Sequence, residues 1–282
     1  MIKQTFEKPG QITLDEDVTR LEVRLIAGRV NVVGTDGPAR VDVTVVGRRP
    51  VLLECSDGRL TLRHEHPEGW AGLMWWLGGF GKAYRVDVSV AVPHSTVAAL
   101  RVVSGSVVAS GLRARVEADV TSGRVSLLGL DGEVRVRTVS GPIEALGVGG
   151  DLTMETVSGE ITIADAAARR LYAHAVSGSV TCDLDNFRDS DIRLETTSGE
   201  ITARIREDSD LDVRLHAVSG RITSAFPQLP VSGHGGDHTV TGRLGSGTGR
   251  LNVNAISGNI SLLARQVEHE EGMPAEGDGG AK

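Results

Sequence analysis

The sequence is poor in aromatic residues and in cysteine. Only 3% of its 282 residues are Phe, Trp or Tyr, and cysteine occurs twice, at Cys55 and Cys182. Two distant cysteines outside any Cys-x-x-Cys spacing exclude a disulfide framework and a zinc knuckle. The N-terminus has no apolar stretch behind a basic start, and no apolar run reaches the roughly 20 residues that cross a bilayer. We therefore expect a soluble, cytoplasmic protein.

Positive charge is also scarce. Lysine and arginine number 30 against 37 aspartates and glutamates, a net charge of −7, which disfavours a general nucleic-acid binder. Glycine and valine are abundant instead, with 36 glycines and 35 valines. The glycine share is nearly twice the usual ~7% but follows no collagen period. This composition is typical of many short strands joined by tight turns.

A short word recurs along the chain. It has the form Thr/Ala-Val-Ser-Gly-x-Ile/Val, as in Thr138–Ile143, Thr156–Ile161 and Ala217–Ile222. Successive Ser-Gly pairs are separated by 18, 18, 18, 19, 21, 21 and 38 residues, and the last interval is about two units long. The serines are Ser104, Ser122, Ser140, Ser158, Ser177, Ser198, Ser219 and Ser257. Repeats at near-constant spacing indicate a stacked architecture.

The residues around each serine alternate with a period of two. Positions six, four and two before the serine, and three and five after it, are nearly all apolar or threonine. In the copy around Ser140 they are Val134, Val136, Thr138, Ile143 and Ala145. Such alternation predicts two short strands per unit, each with one buried face. Ser-Gly lies between them as a turn in which glycine can adopt a positive φ.

One unit cannot bury its own apolar face, so the units must stack. We predict an all-β fold, a single β-solenoid whose coils of about 18–21 residues each contain two short strands. The outward position three before each serine supports this register, because opposite charges alternate there over most of the array and opposite charges on neighbouring strands attract. These residues are Arg101, Asp119, Arg137, Glu155, His174, Glu195, His216 and Asn254.

Irregular copies precede the regular repeats. The same offsets fit Leu21–Val32, around Ala27-Gly28, and Val51–Leu62, around Asp57-Gly58. The solenoid is therefore expected to begin near Val18, with irregular N-terminal coils.

These features define the predicted domain organisation. One solenoid domain covers residues 1–265, interrupted by an aromatic insertion at 62–85 and by an irregular insertion at 226–250. A glycine-rich acidic tail, 266–282, is expected to be disordered.

The repeats, which close with Asn252–Ile260, resemble the bacterial DUF4097 family, whose members carry the names adhesin and toastrack domain. The resemblance covers Val86–Leu263, and Leu14–Leu263 when the irregular copies are included. It implies a solenoid of β-strand repeats, and it implies an association with envelope-stress membrane proteins and regulators. It supplies no catalytic residues.

The aromatic insertion is the candidate contact site. Its uncharged stretch Gly69–Gly81 holds several of the nine aromatic residues, and the candidate partner-binding residues are Trp70, Met74, Trp75, Trp76 and Phe80. Three interpretations remain open: a cap over the solenoid core, a loop that docks a protein partner, and shallow contact with a membrane surface. A cap is the simplest interpretation because the end strands of a solenoid must be covered, whereas the interface-prone residue types support a docking loop.

Catalytic and metal sites are not predicted. His64-Glu65-His66 lacks a third ligand placed by spacing, and the histidines near Asp237 lie in a glycine-rich loop. Enzymes that degrade carbohydrates on β-helices need clustered carboxylates, whereas the outward acids here are interleaved with bases. We therefore expect a non-catalytic binding or scaffolding module without a cofactor. A surface adhesin is the alternative, and a carbohydrate-active enzyme is a weaker one.

Overall fold

The computed structural model describes residues 1–64, 83–185, 189–234 and 237–266, and there the chain is all β, as predicted. Its strands are β1 (Ile2–Phe6), β2 (Gly10–Thr13), β3 (Arg20–Thr35), β4 (Arg40–Val46), β5 (Val51–Ser56), β6 (Arg59–His64), β7 (Arg85–Pro93), β8 (Val97–Ser110), β9 (Val116–Ser122), β10 (Val125–Leu128), β11 (Asp131–Ser140), β12 (Ile143–Leu146), β13 (Gly149–Ser158), β14 (Ile161–Ser177), β15 (Val180–Leu184), β16 (Asp191–Ser198), β17 (Ile201–Arg206), β18 (Leu211–Ser219), β19 (Ile222–Ser224), β20 (Val231–His234), β21 (Asp237–Leu244), β22 (Gly249–Ser257) and β23 (Ile260–Arg265).

Strands that precede the Ser-Gly turns stack in parallel. Val134 of β11 lies opposite Val116 of β9 on one side and Leu152 of β13 on the other, an offset of 18 residues in each direction. The strands that follow the turns form a second parallel ladder, in which β8, β10, β12 and β14 pair in order. This in-register stacking is consistent with a β-solenoid.

The alternating apolar positions face one continuous core. In the coil around Ser140, Val134, Val136 and Ile143 are buried, and the same positions are buried in the neighbouring coils. Each fully buried valine or isoleucine contributes about 1.5–3 kcal/mol of transfer free energy. Repetition of this contribution along the stack stabilises coils that could not fold alone.

The turn glycines are required by close approach of neighbouring coils. A Cβ added to Gly159 would lie within 3.0 Å of the carbonyl group of Gly141. A Cβ added to the turn glycines of the neighbouring coils would lie equally close to the backbone of the adjacent coil. The backbone amide of Gly159 also donates a hydrogen bond to the Ser177 carbonyl oxygen of the next coil, at 3.2 Å. A positive φ is not the common cause, because Gly159 is not among the glycines with positive φ, whereas Gly141 is at 136°.

The alternating charges form one outward ladder, which we call the charge ladder. Arg101 Nε lies 3.5 Å from a carboxylate oxygen of Asp119, and Arg137 Nε donates a 2.9 Å hydrogen bond to Glu155. In stacking order the ladder consists of Arg24, Arg101, Asp119, Arg137, Glu155, His174, Glu195, Asn254 and His216. Neighbouring coils therefore neutralise each other over the middle of the stack.

The stacking order departs from the chain order near the C-terminus. β22 pairs with β16 on one side and with β18 on the other, so the last coil of the sequence lies between the two coils that precede it. The hairpin β20–β21 lies within the stretch predicted as irregular, and β21 pairs antiparallel with the outer edge of β18. This pairing covers an edge strand that would otherwise be exposed.

The N-terminal end is also closed by antiparallel strands. β3 pairs in parallel with β8, with Ala27 and Gly28 at the level of Ser104 and Gly105, as the first irregular copy predicted. The assignment of Val51–Leu62 to a second coil was wrong, because β5 and β6 form an antiparallel hairpin. Both patterns have a period of two, so alternation alone could not separate them.

Candidate binding groove

A column of outward, mostly apolar residues follows the turns along the stack. The residue directly before each Ser-Gly pair alternates with the buried position before it and therefore faces outward. Val139 and Val157 are 52% and 49% exposed. We call this set the valine column, and in stacking order it consists of Ile26, Val103, Thr121, Val139, Val157, Val176, Thr197, Ile256 and Val218. A contiguous exposed apolar strip of this kind is uncommon unless it meets another surface.

The valine column and the charge ladder border a groove of about 640 Å³. On each strand, the residues of the two sets point outward on either side of one buried residue. These buried residues form the floor of the groove and include Val102, Val120, Thr138 and Thr156. The groove extends over six coils, from β3 to β14. At a strand spacing of about 4.8 Å it is about 24 Å long. Its surface is an apolar strip with a charged border, the usual composition of a protein-binding surface.

The charged border consists largely of ion pairs between neighbouring coils. The hydrogen bond from Arg137 to Glu155 raises the pKa of the Arg137 guanidinium, and Asp119 adds to this effect. Both side chains are well exposed, so the pair stays hydrated and free to exchange partners. The charge ladder can therefore select a complementary partner surface without burying an unpaired charge at the interface.

Three buried threonines occupy the floor position along the stack. The Thr196 hydroxyl donates a 3.1 Å hydrogen bond to the carbonyl oxygen of Gly178 in the preceding turn. The hydroxyls of Thr138 and Thr156 have no hydrogen-bond partner among the described residues. Equivalent positions in other coils are Val102 and Val120, so the floor accepts apolar side chains.

The predicted contact residues of the aromatic insertion, Trp70, Met74, Trp75, Trp76 and Phe80, lie outside the described residues.

The residues that flank this insertion are buried close together. His64 and Tyr84 pack edge to face, with ring centroids 5.4 Å apart, and the Arg49 guanidinium lies 5.9 Å from the Tyr84 ring. His64 Nδ1 accepts a hydrogen bond from the backbone amide of Ile26 at 3.4 Å. Since Ile26 lines the groove, His64 lies beside one end of the groove.

A second, strongly polar pocket of about 740 Å³ lies farther along the same strands. Its Asp151 accepts hydrogen bonds from Arg169 and Arg170, and these contacts lower its pKa to about 2. A carboxyl group that stays ionised at neutral pH cannot donate a proton as a general acid. This pocket is therefore a network of ion pairs rather than an acid–base site.

The cysteines are unsuited to nucleophilic chemistry. Both are buried and free, and burial raises the pKa of each thiol. A thiol that remains protonated is a poor nucleophile.

Within the described ranges, no group of three or more His, Cys, Asp or Glu side chains could hold a metal ion. Glu65 and His66 lie outside these ranges, and the side chains of His234 and Asp237 are not described. In the part of the chain that the structure describes, no helix has the length and apolarity needed to span a membrane.

Several solved structures are similar to this chain over most of its length. A candidate cell adhesion protein from Clostridium sporogenes is 13% identical and matches 92% of this chain and 100% of its own, with a TM-score of 0.29. A candidate adhesin from Bacteroides fragilis is 12% identical, matches 93% and 96% of the two chains and has a TM-score of 0.29. A candidate lipid binding protein from Parabacteroides distasonis is 12% identical, with the same coverage and a TM-score of 0.34. These similarities assign no ligand to this chain.

The comparison with protein families is more specific. A search of curated proteins finds no match. The model of the Toastrack DUF4097 family matches residues 19–263, which include the first coil, every Ser-Gly repeat and the C-terminal hairpin. The chain therefore belongs to the Toastrack DUF4097 family.

Proposed function

We propose that this chain is a non-catalytic β-solenoid binding module and that the groove between the valine column and the charge ladder is its binding surface. The observation that carries the proposal is the outward column, in which seven of nine residues are valine or isoleucine. Val139, Val157 and Ile256 are each about half exposed or more. Stacked β-branched side chains stabilise neighbouring strands by only about 0.2–1 kcal/mol per pair, whereas a partner surface would remove the column from water.

The chemistry around the groove favours binding over catalysis. The charged residues that border it are paired across coils, as in Arg101 with Asp119 and Arg137 with Glu155. Carbohydrate hydrolysis on a β-helix requires clustered carboxylates, whereas Asp119 and Glu155 are each paired with an arginine here. The groove is also long and shallow, which suits an elongated macromolecular surface better than a small substrate.

Site-specific photo-crosslinking tests this proposal in cells. A benzophenone amino acid replaces Val139 in the groove or, as a matched control, Leu146 of the same coil. Leu146 is 48% exposed but lies outside the groove. We expect irradiation to give a covalent adduct with a macromolecule from position 139 and not from position 146. Adducts from neither position, or equally from both, would exclude the groove as the binding surface.

We propose the aromatic insertion as an additional contact for a protein partner, on the basis of its uncharged aromatic sequence and its flanks beside the groove. Replacement of Trp75 and Trp76 by Ser should abolish capture of the partner identified by crosslinking, while the thermal unfolding midpoint stays unchanged. If the variant unfolds instead, the insertion is a cap over the core and the docking hypothesis fails.

The cellular role remains a proposal drawn from the family resemblance. We propose a cytoplasmic accessory of the envelope-stress response, with a surface adhesin as the alternative. Cell fractionation separates the two, since recovery of the chain from the cell surface would favour the adhesin. Envelope-stress genes beside its own gene would favour the accessory role.

A further inference from the structure

We propose that the groove binds a second copy of this chain, arranged antiparallel about a two-fold axis that passes between Arg137 and Glu155. This inference rests on the proposed function, because it names the partner of the same groove. It follows from the order of charges along the ladder, which makes the surface complementary to itself in one orientation only.

The charge ladder has a basic half and an acidic half. Its first half, from β3 to β11, contains Arg24, Arg101 and Arg137 with one acid, Asp119. Its second half, from β13 to β22, contains two glutamates with no lysine or arginine, and its members are Glu155, His174, Glu195 and Asn254. A basic half followed by an acidic half is matched by the same surface turned end to end.

The two-fold axis between Arg137 and Glu155 gives a consistent set of pairs. Each residue of the first half meets a residue of the second half on the other copy, and no pair joins like charges. The pairs are Arg137 with the second copy's Glu155, Asp119 with its His174, Arg101 with its Glu195 and Arg24 with its Asn254. Exposed arginine side chains can leave their neighbours in the ladder and reach across, since exposed ion pairs exchange at little cost.

The same axis brings the valine column onto itself. Every resulting pair is apolar, or joins an apolar side chain to a threonine, so no charge is buried against the column. The pairs are Val139 with the second copy's Val157, Thr121 with its Val176, Val103 with its Thr197 and Ile26 with its Ile256. The apolar strip is thereby removed from water on both copies.

A parallel arrangement is excluded by the same residues. A two-fold axis along the groove places each residue at the level of its own counterpart. Arg101 then faces Arg101 and Glu155 faces Glu155, or else the charge ladder faces the valine column. Like charges in direct opposition, or charges desolvated against valines, are both unfavourable.

The contact size predicts a reversible dimer. The contact extends beyond the six-coil groove to eight coils, from β3 to β22, and at about 4.8 Å per coil it is about 34 Å long. With a width on the order of 15–20 Å, each copy buries roughly 500–700 Å², below the ~800 Å² per partner of a standard stable interface. We therefore expect the dimer to dissociate on dilution.

Sedimentation velocity of the full chain over a range of concentrations tests the proposal. The wild type should shift from monomer to dimer as concentration rises, and Val139→Asp with Val157→Asp should remove the dimer. Leu146→Asp, at an exposed position of the same coil outside the groove, should leave the dimer unchanged, and thermal unfolding confirms that each variant is folded. A monomeric wild type, or a folded valine variant that still dimerises, would overturn the proposal.

A charge swap tests the orientation. Arg137→Glu alone should abolish the dimer, and adding Glu155→Arg should restore it, because the pair across the axis is then inverted. Mixing the swapped protein with wild type should give no mixed dimer, since like charges meet in the antiparallel arrangement. Mixed dimers would overturn the antiparallel axis.

The crosslinking at position 139 keeps the two proposals distinguishable. An adduct of twice the chain mass supports both the binding groove and the dimer. An adduct with a different macromolecule from a chain that sediments as a monomer supports the groove and overturns the dimer.

Discussion

The glycine of each Ser-Gly turn offers the sharpest test of why this sequence repeats. In Gly159→Ala, the added Cβ lies within 3.0 Å of the Gly141 carbonyl group, and a backbone atom of a packed neighbouring coil cannot move aside cheaply. The two coils must separate locally, which weakens the hydrogen bonds that join them, from Gly141 N–H to Ser158 and from Ile143 N–H to Glu160, at 2.9 and 2.8 Å. Two such bonds at about 0.5–1.5 kcal/mol each, together with residual strain, predict a loss of about 2–4 kcal/mol.

Two other glycines separate this steric cost from a conformational one. Gly147 has a φ of 62° but no atom within 4 Å of an added Cβ, so Gly147→Ala carries only the backbone penalty, about 1 kcal/mol. Gly37 has no positive φ, and its nearest atom is at 3.6 Å. Gly37→Ala should therefore be neutral or stabilise by up to about 1 kcal/mol through the unfolded state.

Urea unfolding of the three variants measures these free energies, and thermal melts should agree at roughly 2–4 °C per kcal/mol for a domain of this size. The expected order of destabilisation is Gly159→Ala, then Gly147→Ala, then Gly37→Ala. If Gly159→Ala costs no more than Gly147→Ala, close packing of the coils is not the reason for the glycine.

Three further predictions concern other positions. Thr156→Val should stabilise the fold by about 1 kcal/mol, because the buried Thr156 hydroxyl has no partner among the described residues. Thr196→Val should destabilise the fold by a similar amount, because the hydrogen bond to Gly178 is lost. Urea unfolding of both variants measures the two free energies and checks their opposite signs. Asp151 has a folded pKa of about 2, below its ordinary value of 3.8. Its ionised carboxylate therefore contributes to the free energy of unfolding above pH 4, and this contribution is lost as the pH falls toward 2. Asp151→Asn should reduce the loss of stability between pH 4 and pH 2. An unchanged loss of stability in this variant would contradict the role of the Asp151 ion pairs. Cys55 and Cys182 should react with a thiol reagent at the rate of unfolding, and rapid modification of the native protein would refute their burial.

The repeat made much of the fold predictable. The alternation around Ser140 identified Val134, Val136 and Ile143 as buried, and the structure buries all three. The charge alternation identified the outward face, and Arg137 and Glu155 are indeed partners. These predictions succeeded because strand periodicity and cross-coil pairing are local consequences of the sequence.

The remaining features depend on long-range pairing. The coil that contains Ser257 lies between the coils of Ser198 and Ser219, an order that no spacing in the sequence encodes. The hairpin at Asp57-Gly58 has the same alternation as a coil, and only its antiparallel partner distinguishes it. Alternation specifies which face a residue occupies, whereas the choice of neighbouring strand depends on the whole stack.

The groove was within reach of the sequence but was missed. Val139 and Val157 stand directly before Ser-Gly pairs that are predicted as turns, and the sequence analysis assigns them no binding role. The alternation already placed them on the face opposite to the buried Thr138 and Thr156. Recurrence of an apolar residue at an outward position was the signal that could have identified the site.

The proposed role of the valine column is to bind a partner. Photo-crosslinking from position 139, with position 146 as the control, tests it most directly. We expect an adduct from position 139 alone, with a mass of two chains if the partner is a second copy. No adduct at position 139, with a folded protein present in the cell, would contradict it.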